Sequence, residues 1–234
     1  MQDFAKRLGF QIIYGDTDSL FLNNPPSGNS LNKFQKLCKE QLDVEIEVKN
    51  TYNTLILSSG KKHYIGYENG VIDIVGYEGK KSDRCEFVKR IFNDVITSIV
   101  KKNASPVPNL VKAMSALESG RVNPKLLKKS IRLGQNPKDY VSQTCQAAKI
   151  GNAVGAKRGE LVEYFDSNIK KTGRSWSKDY KHIDILKYKQ TLWNSVSEIL
   201  EITGYPTADL AKNFGVKTFN KNKNGHVMQN LPAV

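Results

Sequence analysis

Cysteine is scarce in this sequence, and no long apolar stretch is present. The 234 residues include three cysteines, Cys38, Cys85 and Cys145, which are far apart and form no C-x-x-C pair. This pattern disfavours a disulfide scaffold and a zinc site and favours a reducing compartment. No apolar run approaches the roughly 20 residues that a membrane helix needs, and the N-terminal residues lack the apolar segment of a secretory signal. We therefore expect an intracellular, soluble protein with no membrane partner.

Acidic residues are few relative to basic ones. Lys and Arg total 36 against 23 Asp and Glu, a formal net charge of +13, and the sequence pI is about 9.5. Such a charge favours a polyanionic partner, with nucleic acid ahead of an anionic membrane. A surface that is basic only for solubility is the alternative. The length allows one large domain or two small ones with apolar cores.

The first part of the chain predicts an antiparallel sheet with one or two helices. Gly9 is suited to the left-handed conformation that ends a helix, and Ser30 is the expected cap of the next one. Strands are expected over "FQIIY", "SLFLN" and "VEIEVKNTYNTLILSS", and a hairpin over "KKHYIGYENGVIDIVGYE" with its turn at residues 68–70.

The rest of the chain predicts mostly helix. A capping box of Asp83 and Glu86 precedes "EFVKRIFNDVITSIVKK". Further helices are expected near residues 109–118 and 124–131, and over "DILKYKQTLWNSVSEILEITG", which ends at Gly204. The expected fold class is α+β: an antiparallel sheet region at residues 1–78, a mainly helical region at 79–219 and a flexible tail at 220–234.

The segment "YGDTDSLF" places two carboxylates, Asp16 and Asp18, at the tip of the first hairpin. A polar turn in which Asp caps its own backbone is one interpretation. A calcium loop is disfavoured, because "SLFL" supplies neither the glycine nor the third oxygen ligand. A divalent-cation site is the third interpretation, since close carboxylates repel unless a cation lies between them. The flanking strands favour it, because they fix both ligands before the metal arrives.

Several segments, in order, resemble family B DNA polymerases. "YGDTDSLF" is similar to the family's third conserved motif, whose palm hairpin holds two catalytic aspartates. "KKHY" at residues 61–64 is similar to its lysine-rich palm–thumb motif, with His63 where the KKRY form has arginine. "DIVGYEGKKSDRCEFVKRIFNDV" resembles the start of the thumb, especially in archaeal members. "PKDYVSQTCQAAKIGNAVGAKRGELVEYF" and "DILKYKQTLWNSVSEILEITGY" resemble later thumb segments, which extends the resemblance to about residue 219.

The resemblance implies a DNA-directed DNA polymerase, with the palm at residues 1–78 and the thumb at 79–219. It implies that Asp16 and Asp18 are catalytic ligands of a two-Mg²⁺ site. The residues that would hold primer-template DNA, without reading its sequence, are Lys61, Lys62, Tyr64, Lys80, Lys81, Lys149, Lys157 and Arg158.

The resemblance also implies that parts of the enzyme belong to another chain. Family B enzymes carry an exonuclease domain, fingers and two earlier polymerase motifs before this point, and one of those motifs supplies a further metal-binding aspartate. Because Met1 stands about one helix ahead of the hairpin, we expect the small subunit of a split archaeal-type polymerase or an expressed fragment. We expect it to be inactive alone, to need a larger subunit, dNTP and DNA, and to be cytoplasmic and nucleoid-associated.

A sliding clamp is a further partner considered, at "ADLAKNFGVKTFN" near the end of the thumb. This segment lacks the usual glutamine and paired aromatics, so simple helix termination is the stronger interpretation.

Two other classes of protein compete with the polymerase. A metal-dependent glycosyltransferase also uses a D-x-D motif, but too little chain precedes the motif for its nucleotide-binding fold. A catalytically silent DNA-binding or assembly module would keep the basic thumb and would lose nothing if the aspartates changed.

Overall fold

The structure is a computed structural model of the chain. It describes residues 1–16, 19–23, 28–58, 60, 62–101, 103–169, 174–218 and 228–229, with the backbone alone at 174 and 228–229. The chain forms two compact units. Unit 1 comprises Met1–Asn53 and Gly60–Lys62, and unit 2 comprises Thr54–Ser59 and His63–Val234.

Unit 1 contains two helices and one hairpin. Its elements are α1 (Gln2–Arg7), β1 (Ile12–Gly15), β2 (Leu20–Leu22) and α2 (Ser30–Leu42). The backbone of Gly9 is left-handed, with φ 82°, as predicted for the residue after a helix end. Strands β1 and β2 pair antiparallel, which confirms the predicted hairpin. A small apolar cluster fills the interior, formed by Ala5, Phe10, Phe34 and Cys38.

Two predictions for unit 1 are wrong. Ser30 is the first residue of α2, and Asn29 occupies the cap position. The predicted strand over residues 44–59 is formed only at Thr54–Leu57, since residues 43–53 have no regular structure. The alternation of Val44, Ile46 and Val48 suits a strand, but a strand also needs a neighbour for its backbone groups. No strand within the described residues pairs with this segment.

Unit 2 begins with an antiparallel meander of three strands, β3 (Thr54–Leu57), β4 (Tyr64–Glu68) and β5 (Val71–Val75). The turn between β4 and β5 is made by Asn69 and Gly70, which have φ values of 48° and 89°. These left-handed conformations are typical of a tight hairpin turn and confirm the predicted one.

Helices form most of the interior of unit 2. They are α3 (Glu86–Val100), α4 (Val107–Glu118), α5 (Pro124–Leu127), α6 (Gln146–Val154), α7 (Ile185–Ile202) and α8 (Thr207–Phe214). The predicted helices over α3, α4 and α7 are confirmed, including the end of α7 before Gly204, whose φ is 85°. Within the described residues, no helix is long and apolar enough to span a membrane.

The predicted capping box before α3 is wrong, since Cys85 takes the cap position. Asp83 instead accepts a hydrogen bond from Arg84, with Nη1 and Oδ2 2.9 Å apart. The predicted helix at 124–131 is also wrong beyond Leu127. The chain becomes extended at Lys128 and continues as a strand.

A three-stranded antiparallel sheet lies within the region predicted to be mainly helical. It consists of β6 (Lys129–Arg132), the central β7 (Leu161–Ile169) and β8 (Arg174–Ser177). Residues 164–167 of β7 are all buried, so this strand lacks the alternation that marks a half-buried one. The last strand, β9 (Met228–Gln229), pairs with β3. The rest of the predicted tail lies outside the described residues, so its flexibility stays a prediction.

The core of unit 2 joins the meander to the helices. Ile56 and Ile65 of the meander share one cluster with Phe92 of α3 and Trp193 of α7. Gly79 lies directly against the ring of Phe92, and a Cβ atom at residue 79 would be 2.2 Å from the ring carbon Cγ. The α+β fold class is confirmed. The predicted division at residues 78 and 79 stays a prediction.

Candidate active site

The β1–β2 hairpin presents the acidic motif at its tip. Gly15 pairs with Leu20, and the N–H of Asp16 donates to the carbonyl of Ser19 at 2.9 Å. The Asp16 side chain is 13% exposed, so its carboxylate is largely shielded from water. Asp18 and the threonine before it lie outside the described residues.

The lysine-rich motif meets the acidic motif within unit 1. The backbone N–H of Lys62 donates to the hydroxyl of Tyr14 at 3.0 Å, across 48 positions of sequence. The Lys62 Nζ lies 3.7 Å from Asp16 Oδ2. Lys62 has φ 57°, a conformation that is uncommon for a residue other than glycine. Lys61 lies outside the described residues.

This contact places a cation beside a largely buried carboxylate. The Lys62 side chain is 63% exposed, and an ion pair with one exposed partner stabilises a fold by about 1 kcal/mol at most. Carboxylate oxygens such as those of Asp16 are the ligands that Mg²⁺ prefers, so the donor chemistry fits that ion. Within the described residues, His, Cys, Asp and Glu side chains form no group of three that could hold a metal.

A polar cluster in unit 2 includes Ser58 and His63, which precede and follow residues 59–62 in the sequence. Ser58 Oγ donates to Glu198 Oε1 at 2.5 Å, and His63 Nδ1 lies 3.7 Å from the same oxygen. The His63 ring packs against Tyr77 at 5.7 Å between centroids. Burial raises the pKa of the Tyr77 phenol well above its usual range, and the charge of Glu198 raises it further. Sequence reasoning missed Ser58 and Glu198.

Tyr64, the last residue of the lysine-rich motif, begins β4 in unit 2. Its hydroxyl approaches Asp73 Oδ2 on the neighbouring strand at 3.5 Å.

Two of the predicted DNA-binding lysines follow the meander. Lys80 is exposed, while Lys81 forms an ion pair with Glu78. Arg84 binds the same carboxylate. Burial alone would raise the pKa of Glu78, but hydrogen bonding and charge from Lys81 and Arg84 lower it overall. Lys81 is therefore engaged in the protein, and Lys80 is the better placed of the two for an external anion.

The remaining predicted DNA-binding residues, Lys149, Lys157 and Arg158, are exposed on α6 and on the loop after it. The N–H of Lys157 donates to Glu160 Oε2 at 3.1 Å, and that of Arg158 donates to Asn136 Oδ1 at 3.2 Å. These bonds hold the loop backbone. Lys157 also lines a surface cleft of about 410 Å³.

An ion cluster elsewhere in unit 2 is centred on the buried carboxylate of Asp166. Asp166 of β7 forms ion pairs with Lys129 of β6 and with Lys187 of α7, the second at 2.7 Å. The Tyr188 hydroxyl accepts from the N–H of Asp166 at 3.0 Å and donates to the Leu127 carbonyl at 2.7 Å. These contacts tie the sheet to α7.

The segment considered as a clamp peptide forms α8. Phe214 is buried and packs edge-on against Trp193 at 5.9 Å. This packing favours helix termination, while Phe219 lies outside the described residues.

The fold is similar to that of a known polymerase. A family B DNA polymerase from the hyperthermophilic archaeon Pyrobaculum calidifontis matches 84% of this chain with a TM-score of 0.59 and 24% identity, over 27% of its own chain. The model of DNA polymerase family B matches residues 1–168. This chain therefore belongs to DNA polymerase family B.

Archaeal DNA polymerases are among its relatives. DNA polymerase 1 of Sulfolobus acidocaldarius is 28% identical over 92% of this chain and 26% of its own length. DNA polymerase 1 of Saccharolobus solfataricus is 43% identical over 46% of this chain and 12% of its own length. The chain thus spans about a quarter or less of the length of these two relatives.

Proposed function

We propose that this chain is the palm–thumb part of a DNA-directed DNA polymerase and is active only with a larger subunit. The observation that supports this most is the meeting of two motifs. The D-x-D hairpin and the lysine-rich loop are far apart in sequence, yet Lys62 contacts both Tyr14 and Asp16. A polymerase needs such a juxtaposition, because metal ligands and a primer-holding cation must act at one place.

In this proposal, Asp16 and Asp18 hold Mg²⁺, together with a carboxylate of the larger subunit. When bound, two Mg²⁺ ions activate the primer 3′-hydroxyl and stabilise the leaving pyrophosphate. Asp18 is the principal ligand and Asp16 the weaker one. Lys61, Lys62 and Tyr64 hold the primer duplex near its growing end.

The basic residues of unit 2 hold the DNA backbone in the same proposal. Phosphate contacts of this kind fix position and carry no sequence information. Exposed side chains are suited to this role, and those that we assign to it are Lys80, Lys149, Lys157 and Arg158. Lys81 can bind a DNA phosphate only if its ion pair with Glu78 is broken.

The larger subunit would carry the exonuclease, the fingers and the rest of the palm, and the assembly would use dNTP in a cytoplasmic, nucleoid-associated setting. In unit 1, Val44 and Val48 are 38% and 49% exposed on a segment without regular structure. In the proposal, these two side chains are part of the surface that the larger subunit would bury. A palm divided between two chains would need an interface on the order of 2,000 Å² or more.

Primer extension tests the proposal. The purified chain is assayed with Mg²⁺, dNTPs and primer-template DNA, with and without the larger subunit. We expect weak duplex binding and no extension by the chain alone, and template-directed extension after mixing. Robust extension by the chain alone would contradict the shared active site. Mixing that gives a stable complex whose activity survives loss of both aspartates would favour the catalytically silent module.

A further inference from the structure

Ser58 and His63 flank the lysine-rich loop, which is residues 59–62 in the sequence, with 59 and 61 outside the described residues. A backbone contact in unit 2 joins these two flanking residues. Leu57 and Tyr64 form the last paired positions of β3 and β4. One step further out, the N–H of Ser58 donates to the carbonyl of His63 at 3.1 Å. Ser58 and His63 are therefore the residues from which the loop leaves the sheet and to which it returns.

One side chain binds Ser58 and lies beside His63. Glu198 is located in the long helix α7, 140 positions from Ser58. Its Oε1 atom accepts the Ser58 hydroxyl at 2.5 Å and lies 3.7 Å from His63 Nδ1. The Glu198 side chain is 15% exposed, so water competes poorly for the same atoms, and a hydrogen bond to an ionised acceptor is stronger than one between neutral groups.

The helix that carries Glu198 is itself well fixed. Leu192, Val196 and Ile199 of α7 are fully buried in the core. Tyr77, which packs on the His63 ring, also contacts Phe92 at 6.3 Å between centroids. Ser58 is therefore connected to α7 through Glu198, and His63 packs on the buried core of unit 2 through Tyr77.

We infer that Glu198 is a positioning residue for the lysine-rich loop. By holding Ser58, next to the end of β3, it restricts the conformations from which Lys62 reaches DNA. The inference rests on the proposed function for its DNA readout, but the anchoring itself does not depend on DNA.

Limited proteolysis tests the anchoring without DNA. A lysine-specific protease cleaves after Lys61 and Lys62 when the loop opens. Glu198→Gln keeps the size of the side chain and removes its charge, and Asp94→Asn on the exposed side of α3 is the control. We expect cleavage in the loop to accelerate about three- to tenfold in Glu198→Gln, as for a lost interaction of about 1 kcal/mol. The control should behave as wild type. Equal cleavage in both variants would overturn the inference.

A double-mutant cycle tests the positioning. Duplex DNA binding is measured for wild type, Glu198→Gln, Lys62→Ala and the double variant. If Glu198 acts through the loop, its substitution raises Kd about threefold or more in wild type and much less once Lys62 is absent. Equal effects in both backgrounds would show a merely structural role and contradict positioning.

The two readouts separate this inference from the proposed function. No DNA binding by the wild-type chain would count against the proposed function and against positioning, while faster cleavage would still support the anchor. Binding that Lys62→Ala weakens and Glu198→Gln leaves unchanged would support the proposed function and overturn the positioning role.

Discussion

Units 1 and 2 differ in how much apolar surface stabilises them. In unit 1, the buried apolar cluster of the described residues consists of Ala5, Phe10, Phe34 and Cys38. In unit 2, one continuous core includes residues from the meander and from α3, α4, α7 and α8. Burial stabilises by about 25 cal/mol per Å² of apolar surface, so unit 2 has by far the larger contribution.

This comparison indicates which unit a partner chain would stabilise more. The predicted metal ligands lie in the unit with the smaller core, whereas most of the predicted DNA-binding residues lie in the unit that is well packed. Local stability follows the density of buried apolar contacts. Unit 1 should therefore open more readily, and a partner that covers it would stabilise it more than it stabilises unit 2.

The largest effect is expected from Asp18→Ala in unit 1. The reconstituted enzyme should lose about 100-fold or more of its nucleotide incorporation, because a metal ligand contributes several kcal/mol to the transition state. Folding and DNA binding should stay nearly unchanged. Single-nucleotide incorporation measures the effect, with the exposed Asp3→Ala as control. Asp16→Ala should be damaging to a smaller degree. A variant of Asp18 that keeps roughly a tenth of the activity would contradict the assignment.

The next effect is on the stability of unit 2. Asp166→Ala leaves Lys129, itself 9% exposed, buried beside an empty site, and breaking a buried pair costs about 3–5 kcal/mol. Glu163→Ala on the same strand removes an exposed pair with Lys128 and should cost about 1 kcal/mol at most.

Urea denaturation monitored by tryptophan fluorescence measures both variants. Trp176 and Trp193, the two tryptophans of the sequence, belong to unit 2, so the signal reports on that unit. Equal losses in the two variants would show that Asp166 has no special structural role.

The labelling rates of the cysteine thiols test whether unit 1 opens more readily than unit 2. Burial raises the pKa of the Cys38 thiol in unit 1 and of the Cys85 thiol in unit 2, so less reactive thiolate is present near neutral pH. Both should label more slowly than Cys145, which is only partly buried. In mild urea, Cys38 should become reactive about tenfold faster than Cys85 while the tryptophan signal is unchanged.

Mass spectrometry of the labelled peptides identifies each thiol. Simultaneous exposure of Cys38 and Cys85 would show that the two units unfold together, and the comparison would fail.

The smallest effect is expected from Lys62→Ala. Its affinity for duplex DNA should fall similarly for different sequences, and the slope of log affinity against log salt should become shallower by about 0.9, as for one lost phosphate contact. Titrations at several salt concentrations measure this, with the exposed Lys36→Ala as control. Unchanged affinity and slope would show that Lys62 is an ordinary solvated lysine.

Local signals predicted some parts of this structure well. The end of α1 at Gly9 and the turn at Asn69 and Gly70 depend on conformations that these residues favour by themselves. Strand β7 was missed because Tyr164, Phe165 and Asp166 are buried in succession. The sequence there shows neither the two-residue alternation of a half-buried strand nor the 3.6-residue period of a helix. The unformed strand at residues 44–53 shows the reverse case. The alternation is present there, but no strand of the part that the structure describes pairs with it.

The candidate site was predictable in its parts and not in its contacts. The D-x-D pair and the lysine-rich segment are short motifs that can be read directly from the sequence. The approach of Lys62 to Asp16 and the anchoring of Ser58 by Glu198 join residues that are distant in sequence. Contacts of this kind depend on the folded chain as a whole, and no local pattern indicates them.

The close packing of Gly79 against Phe92 limits the order in which substitutions at these two positions can be accepted during evolution. Any side chain at residue 79 would overlap the aromatic ring, and that ring is fully buried, so it has no free space to enter. A substitution at residue 79 becomes tolerable only after Phe92 has been replaced by something smaller, and that first step leaves a cavity. The two positions should therefore covary among related sequences, with larger residues at 79 accompanied by smaller ones at 92.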